Sequence, residues 1–188
     1  FAPQVIISTA ADRPTDVLAI DLDGDGDQDV VSGSADDNKV AWYENDGSQG
    51  FTAHTVTADA NTVRGIFAVD MDGDGDVDLL SASYNDDKIA WYENDGEESF
   101  SPHVISTSAA SAVTVFAVDL DEDGDMDVLS ASYDDDKLAW YENNGSQQFT
   151  EHVISDSQAG TLSLYPVDLD GDGDLDLVAT AAGESQVN

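Results

Sequence analysis

A nonapeptide, DLDGDGDQD at residues 21–29, returns as DMDGDGDVD at 70, DLDEDGDMD at 119 and DLDGDGDLD at 168, so Asp21, Asp70, Asp119 and Asp168 stand 49 residues apart. Trp42, Trp91 and Trp140 keep the same spacing, as do Lys39, Lys88 and Lys137, Phe51, Phe100 and Phe149, and His54, His103 and His152. A period of about 20–50 residues belongs to solenoids, propellers and arrays, whose units need their neighbours to bury an apolar face. The 188 residues therefore hold just under four copies of one unit. Any account of the fold starts from that unit.

The second copy shows its plan. VRGIFAVD (63–70), LLSAS (79–83), KIAWYEN (88–94) and SFSPHVIS (99–106) each have the length and the β-branched or aromatic content of a strand. NDD (85–87) and NDGEE (94–98) separate them with turn chemistry, and no stretch keeps a helical period. Four strands and a polar crossing describe one blade of a β-propeller, so the expected fold is all-β, built of four-stranded blades repeating every 49 residues. The acidic loop lies between the first and second strands. Pro166 replaces the alanines at 68 and 117 in the first strand, which suits an edge facing a central channel because proline cannot donate to a ladder.

These signals divide the chain into residues 1–8, the outer strand of a preceding blade, then blades at 14–57, 62–106 and 111–155, and the start of a fourth at 160–188. A closed four-bladed ring is one arrangement and an open arc of a larger ring the preferred one. Beginning at Phe1 inside one repeat and stopping at Asn188 inside another, the chain reads as a mature or excised piece of something longer.

Charge narrows the partners. Against 5 basic residues stand 41 acidic ones, a formal charge of −36, and twenty of the acids are the loop aspartates. Such a surface repels nucleic acid and anionic membranes and attracts cations. Without cysteine there is neither a disulfide nor a thiolate metal site. No apolar run reaches the ~18 residues of a membrane span.

Five carboxylates in nine residues cannot all stay ionised without compensation, and a bound dication removes the conflict. Oxygen ligands at alternate positions suit Ca²⁺, which takes six to eight of them, whereas softer metals favour Cys or His. The candidate ligands are Asp21, Asp23, Asp25, Asp27 and Asp29, then Asp70, Asp72, Asp74, Asp76 and Asp78, then Asp119, Asp121, Asp123, Asp125 and Asp127, and finally Asp168, Asp170, Asp172, Asp174 and Asp176. About four calcium ions, one per loop, are expected. Positions 1, 3 and 5 open like an EF-hand loop and Gly26 at position 6 permits its sharp turn, but position 12 is Ser32, Ser81, Ser130 or Ala179 rather than glutamate. Asp29 at position 9 is the natural closing ligand. The position-7 side chains of Asp27, Asp76, Asp125 and Asp174 are the weakest candidates, because there the backbone carbonyl serves, and they are expected to point to solvent. Position 4 tolerates Glu122 in place of glycine, whereas position 6 is glycine in all four copies.

AVDLDEDGDMDVLSASYDDDKLAWYENNG (117–145) resembles the FG-GAP/VCBS repeat of bacterial secreted proteins, and its loop is similar to the calcium-binding blades of integrin alpha-subunit propellers. The resemblance covers essentially the whole chain. It implies calcium held by side chains at positions 1, 3, 5 and 9 and the carbonyl at 7, and a ring of seven blades of which about half stands here. Thrombospondin type 3 repeats fit less well, since they carry cysteine and lack these aromatic strands.

Residues 67–96 and 116–145 agree at 23 of 30 positions, which assigns the shared residues to the fold. Catalysis needs unlike groups converging on one point, and symmetric blades keep like groups apart. The three histidines read as partly exposed strand residues, and the lysines as local offsets for the neighbouring acids. In each Trp-Tyr pair (42/43, 91/92, 140/141) period two puts one ring between blades and leaves the other as a candidate sugar platform. Arg64 has no basic sibling at Thr15, Val113 or Leu162, and with Tyr165 it is a candidate ligand contact at the channel mouth.

The expected function is that of a non-catalytic, calcium-stabilised interaction or adhesion scaffold within a larger secreted protein. The alternative is the propeller part of a secreted carbohydrate-active enzyme or lectin. A protein or a polysaccharide is the expected partner, with no nucleic acid and no membrane insertion. Millimolar calcium outside cells fills sites of the 10⁻⁴–10⁻³ M class, so the expected setting is extracellular or cell-surface, in a bacterium.

Overall fold

The computed structural model describes residues 5–157, 159–183, 186 and 187. In chain order the strands are β1 (Pro14–Ile20), β2 (Asp29–Ser34), β3 (Lys39–Asn45), β4 (Phe51–Thr57), β5 (Val63–Val69), β6 (Asp78–Ser83), β7 (Lys88–Asn94), β8 (Phe100–Ser106), β9 (Ala112–Val118), β10 (Asp127–Ser132), β11 (Leu138–Asn143), β12 (Phe149–Ser155), β13 (Thr161–Val167), β14 (Asp176–Ala181) and β15 (Gln186–Val187). They form three four-stranded antiparallel meanders and a three-stranded fourth, each in sequential order. Among the described residues there is no helix, and so none long and apolar enough to cross a membrane. Val5–Ser8 form no strand; the rest of the expected 1–8 element lies outside the described residues.

Strand order follows from which faces are covered. The second strand of a blade has neighbours on both sides and on both faces, so Asp78–Ser83 and Asp127–Ser132 are buried at every position. Outer strand β12 is exposed along most of its length. The first strands meet near the axis: Phe67 and Phe116 lie 4.7 Å apart, Phe116 meets Tyr165 edge-on at 5.7 Å, and the Thr15 hydroxyl donates to the Val63 carbonyl at 2.6 Å. A Cβ on Gly65 would stand 2.9 Å from the Val113 carbonyl oxygen, so glycine is what allows β5 and β9 to approach. Pro166 sits in β13, an edge strand of its sheet, where its missing N–H costs nothing.

The core lies between blades. One buried cluster joins Trp42 of the first blade to Tyr92 of the second, and another joins Trp91 of the second to Tyr141 of the third. Both members of the pair in the second blade, Trp91 and Tyr92, are therefore used, one in each joint. Tyr43, Tyr92 and Tyr141 keep their hydroxyls beside Ser32, Ser81 and Ser130 at 3.0–3.3 Å. Five of the six rings are buried and Trp140 is half-buried against the third-to-fourth-blade cluster, so the pairs are taken up in packing rather than set out as a platform, which corrects the expectation drawn from period two alone.

A latch of backbone and side-chain bonds repeats at each joint. Asn38, Asp87 and Asp136 take left-handed backbone (φ 57, 55 and 57°), and their side chains accept the N–H of Thr62, Ser111 and Gly160 at the entry to the next blade, at 3.0, 2.9 and 2.7 Å. A third apolar cluster, around Leu129 and Leu164, joins the third blade to the fourth. Among the described residues no such cluster joins the fourth blade to the first.

Candidate metal centres

Each acidic loop brings three carboxylates together. Oxygens of Asp21, Asp23 and Asp29 lie within 4.8 Å of one another, and so do those of Asp70, Asp72 and Asp78, of Asp119, Asp121 and Asp127, and of Asp168, Asp170 and Asp176. These are positions 1, 3 and 9. The position-1 carboxylate accepts the position-6 glycine N–H in all four copies, at 3.0–3.2 Å. That glycine needs φ of 97–103°, which L residues rarely adopt, whereas Glu122 at position 4 takes an ordinary left-handed φ of 61°. The backbone thus explains why one position is always glycine and the other is not.

Position 9 is held from two sides. Asp29, fully buried, accepts Leu22 N–H at 3.0 Å and Asn45 N–H at 2.8 Å; Asp78 accepts Met71 and Asn94, and Asp127 accepts Leu120 and Asn143, in the same way. The asparagine side chains close the clamp by donating to Gln28, Val77 and Met126 carbonyls at 3.0–3.1 Å. Sequence reasoning passed over these asparagines, although ENDG and ENNG recur after every Trp-Tyr pair.

Positions 5 and 7 stand outside the trios. Asp25, Asp74, Asp123 and Asp172 turn to the amide two residues on, at 2.8–3.0 Å. Asp27, Asp76 and Asp125 are half-buried, with carboxylates where a Cβ on Gly47, Gly96 or Gly145 would collide with them. The expectation that they face solvent fails because the turn between the third and fourth strands folds over the loop; only Asp174 is exposed.

The electrostatics ask for a cation. Burial pushes the Asp78 carboxyl up from 3.8 to about 6, against amide bonds from Asn94 and Met71; the nearby Trp91 indole N–H favours the ionised form without making a hydrogen bond of good geometry. Asp127 is raised by the same cause. Desolvation also raises Asp23, to which the charges of Asp29, Asp25 and Asp21 add. Asp21 Oδ1 is buried without a hydrogen-bond partner, and among the described residues no ion pair reaches a trio carboxylate. An orphaned hard oxygen among convergent carboxylates fits a calcium-like dication.

The loops also build the joints. Leu22 and Met71, at position 2, are each 3% exposed and plug into the next blade, whereas Leu169, in the fourth copy, is 71% exposed. From the next blade Asn94 donates to the Leu22 carbonyl at 3.4 Å and Gln147 to Asp72 at 3.5 Å. The fourth trio is exposed at all three residues.

The profile of the FG-GAP-like repeat matches residues 21–81, 70–130 and 119–179, so each match covers two successive acidic loops and the strands between them. The chain belongs to the FG-GAP-like repeat family. Among solved structures it is similar to that of an Agrocybe aegerita lectin that recognises non-reducing terminal N-acetylglucosamine, with 18% identity and a TM-score of 0.59 over 88% of this chain. The match spans 47% of that lectin's chain, about half its length. No curated protein matches the chain.

Histidine and lysine have structural places in this FG-GAP-like chain. His54, His103 and His152 stack on Trp42, Trp91 and Trp140 at 4.5–4.7 Å and bond Glu44, Glu93 and Glu142 at 2.7–2.8 Å, one set per blade. Glu98 joins Glu44 and His54 in a group within 4.8 Å, in which the ring Nε2 is already bonded to Glu44. Lys39, Lys88 and Lys137 pair with Asp37, Asp86 and Asp135 at 2.9–3.4 Å. Lys88 and Lys137 also donate to the Asp59 and Ser108 carbonyls in the crossings, so they do more than offset charge.

Proposed function

We propose that the chain is a non-catalytic, calcium-stabilised extracellular interaction module, an arc of blades within a larger secreted protein. The observation that carries this reading is that each carboxylate trio of the first two loops flanks an apolar plug seated in the next blade, Leu22 among Asp21, Asp23 and Asp29 and Met71 among Asp70, Asp72 and Asp78. Calcium held by the trios and the loop backbone supplies the counter-charge that keeps the loop folded and its plug seated. Against catalysis stands the separation of like groups, one set per blade. Millimolar external calcium supports an extracellular setting.

Calorimetric melting with calcium and with excess EGTA tests this. A site at about ten times its Kd adds about 1.4 kcal/mol, so the three loops with buried closing aspartates add about 4 kcal/mol and the exposed fourth little. At roughly 2–4 °C per kcal/mol for a chain of this size, chelation lowers Tm by about 8–16 °C. An unchanged melting curve rejects the structural role.

A saccharide is the second reading for the ligand, favoured by the likeness of the blades to those of a lectin. Binding to a panel of neutral and acidic oligosaccharides, in calcium, tests it separately from the melting experiment.

A further inference from the structure

Each first strand carries one β-bulge, at Thr15, Arg64, Val113 and Leu162. Bulges re-aim a side chain and collect next to binding sites. Here three of the four line one pocket of about 340 Å³, together with Tyr84 and Tyr133, which follow the second strands of the second and third blades. Two repeat positions supply the five residues, and neither is constant along the chain: Arg64, Val113 and Leu162 are siblings of one another and of Thr15, while Tyr84 and Tyr133, alike in the second and third blades, correspond to Ala35 and Ala182. Among the described residues this combination of an arginine with two tyrosines therefore occurs once, away from the acidic loops, at positions that vary from blade to blade.

Its cation is unlike the others. Arg13, Lys39, Lys88 and Lys137 pair with Asp36, Asp37, Asp86 and Asp135 at 2.9–3.4 Å. Among the described residues Arg64 alone of the five basic residues has no carboxylate partner, in a chain of net charge −36. It lies instead over the Tyr84 ring, 5.1 Å from the centroid. Asp16 lines the adjoining cleft, but its carboxylate accepts the amides of Val17 and Ile66, both at 2.9 Å. Stacking on one face leaves the edge of a guanidinium free to bind a carboxylate with two parallel hydrogen bonds. Opposite stand Tyr133, 37% exposed, and Leu162, 47% exposed, an apolar and aromatic wall for the C–H face of a ring. The volume is near the lower end of ligand pockets, ~300–1,000 Å³, and suits one or two sugar residues.

We infer that this pocket binds a pyranose bearing a carboxylate, a uronic-acid residue of an acidic polysaccharide, with Arg64 holding the carboxylate and Tyr133 the ring. The inference deepens the saccharide reading and rests on it. Local contact outweighs the repulsive field of the chain where salt is high, since screening at ~1 M falls to ~3 Å.

Calorimetric titration in calcium and high salt compares three probes: a glucuronate-containing disaccharide, the same disaccharide with its carboxyl reduced to the alcohol, and acetate. The acidic disaccharide should bind at least about tenfold more tightly than either control. Arg64→Met should remove that preference, and Tyr133→Ala should weaken both disaccharides, with melting curves unchanged. Equal binding of acidic and reduced sugars overturns the Arg64 assignment while leaving the saccharide reading in place. Acetate as tight as the acidic sugar overturns the ring contact. Absence of binding by all three overturns the pocket, and a neutral oligosaccharide bound in the same conditions, unaffected by either substitution, keeps the lectin reading alive elsewhere on the arc.

Discussion

Leu22, inside the first acidic loop, and Tyr92, in the third strand of the next blade, share one buried cluster, 3% and 2% exposed. The residue that follows the first loop aspartate is thus part of the following blade's core. Order in the loop and docking of blades are coupled by one side chain.

That coupling makes Met71 and Leu169 a matched pair. Met71 is 3% exposed in the joint between the second and third blades, and Leu169 at the same loop position is 71% exposed. Met71→Ala should cost about 2–5 kcal/mol in urea denaturation, as for other buried methionines, and Leu169→Ala about 0.5 kcal/mol or less. Equal losses would remove the plug from the account.

Calcium titration should resolve unequal sites. Asp29, Asp78 and Asp127 are fully buried and clamped, whereas Asp168, Asp170 and Asp176 are all exposed. Three tighter sites and a fourth at least about tenfold weaker are expected by calorimetry. Asp72→Asn should delete a tight site and Asp170→Asn the weak one; unaltered stoichiometry in Asp72→Asn rejects the ligand assignment.

Acidification should favour the calcium-depleted fold and oppose calcium. The Asp78 carboxyl moves from 3.8 up to about 6 on folding, because burial penalises its charge. A carboxyl raised in this way contributes to stability below about pH 4 and loses that contribution as pH rises through about 6. Calcium needs the ionised form. The difference in Tm between calcium-loaded and calcium-depleted protein should shrink from pH 7 to pH 5, and a difference that widens contradicts the assignment.

Two glycines of one loop should behave differently. Gly75 has φ 102° and open space where a Cβ would stand, so Gly75→Ala costs backbone strain alone, about 1–3 kcal/mol. Gly73 has φ 78°, and Glu122 occupies its place in the third copy at 61°. Gly73→Glu should cost about 1 kcal/mol or less in the same denaturation assay.

Much of this was legible in the sequence, because repetition marks what every blade shares. Strands β5 to β8 fall within a residue of the apolar segments read in the second copy, and the loop falls between the first two. What one strand's pattern could not show is the neighbour on its other face. Period two divides Trp91 from Tyr92, yet both are buried, since a blade lies on each side. The position-7 carbonyl's role as ligand says nothing of where the Asp27 side chain goes, and the turn carrying Gly47 that covers it is distant in sequence. The clamp by Asn45 was hidden because its backbone N–H, rather than its side chain, meets Asp29. The Arg64 pocket needs bulges in three strands to bring together residues spaced by whole repeats.

The latches of Asn38, Asp87 and Asp136 reach only the next blade, as do the apolar clusters. A polymer joined solely between nearest neighbours has no long-range registration to lose. Unequal crossing-over in steps of 49 codons would therefore excise or duplicate a whole blade and leave each remaining joint chemically as it was. Copy number becomes a heritable variable that the fold tolerates, and selection can lengthen the arc without inventing a new interface.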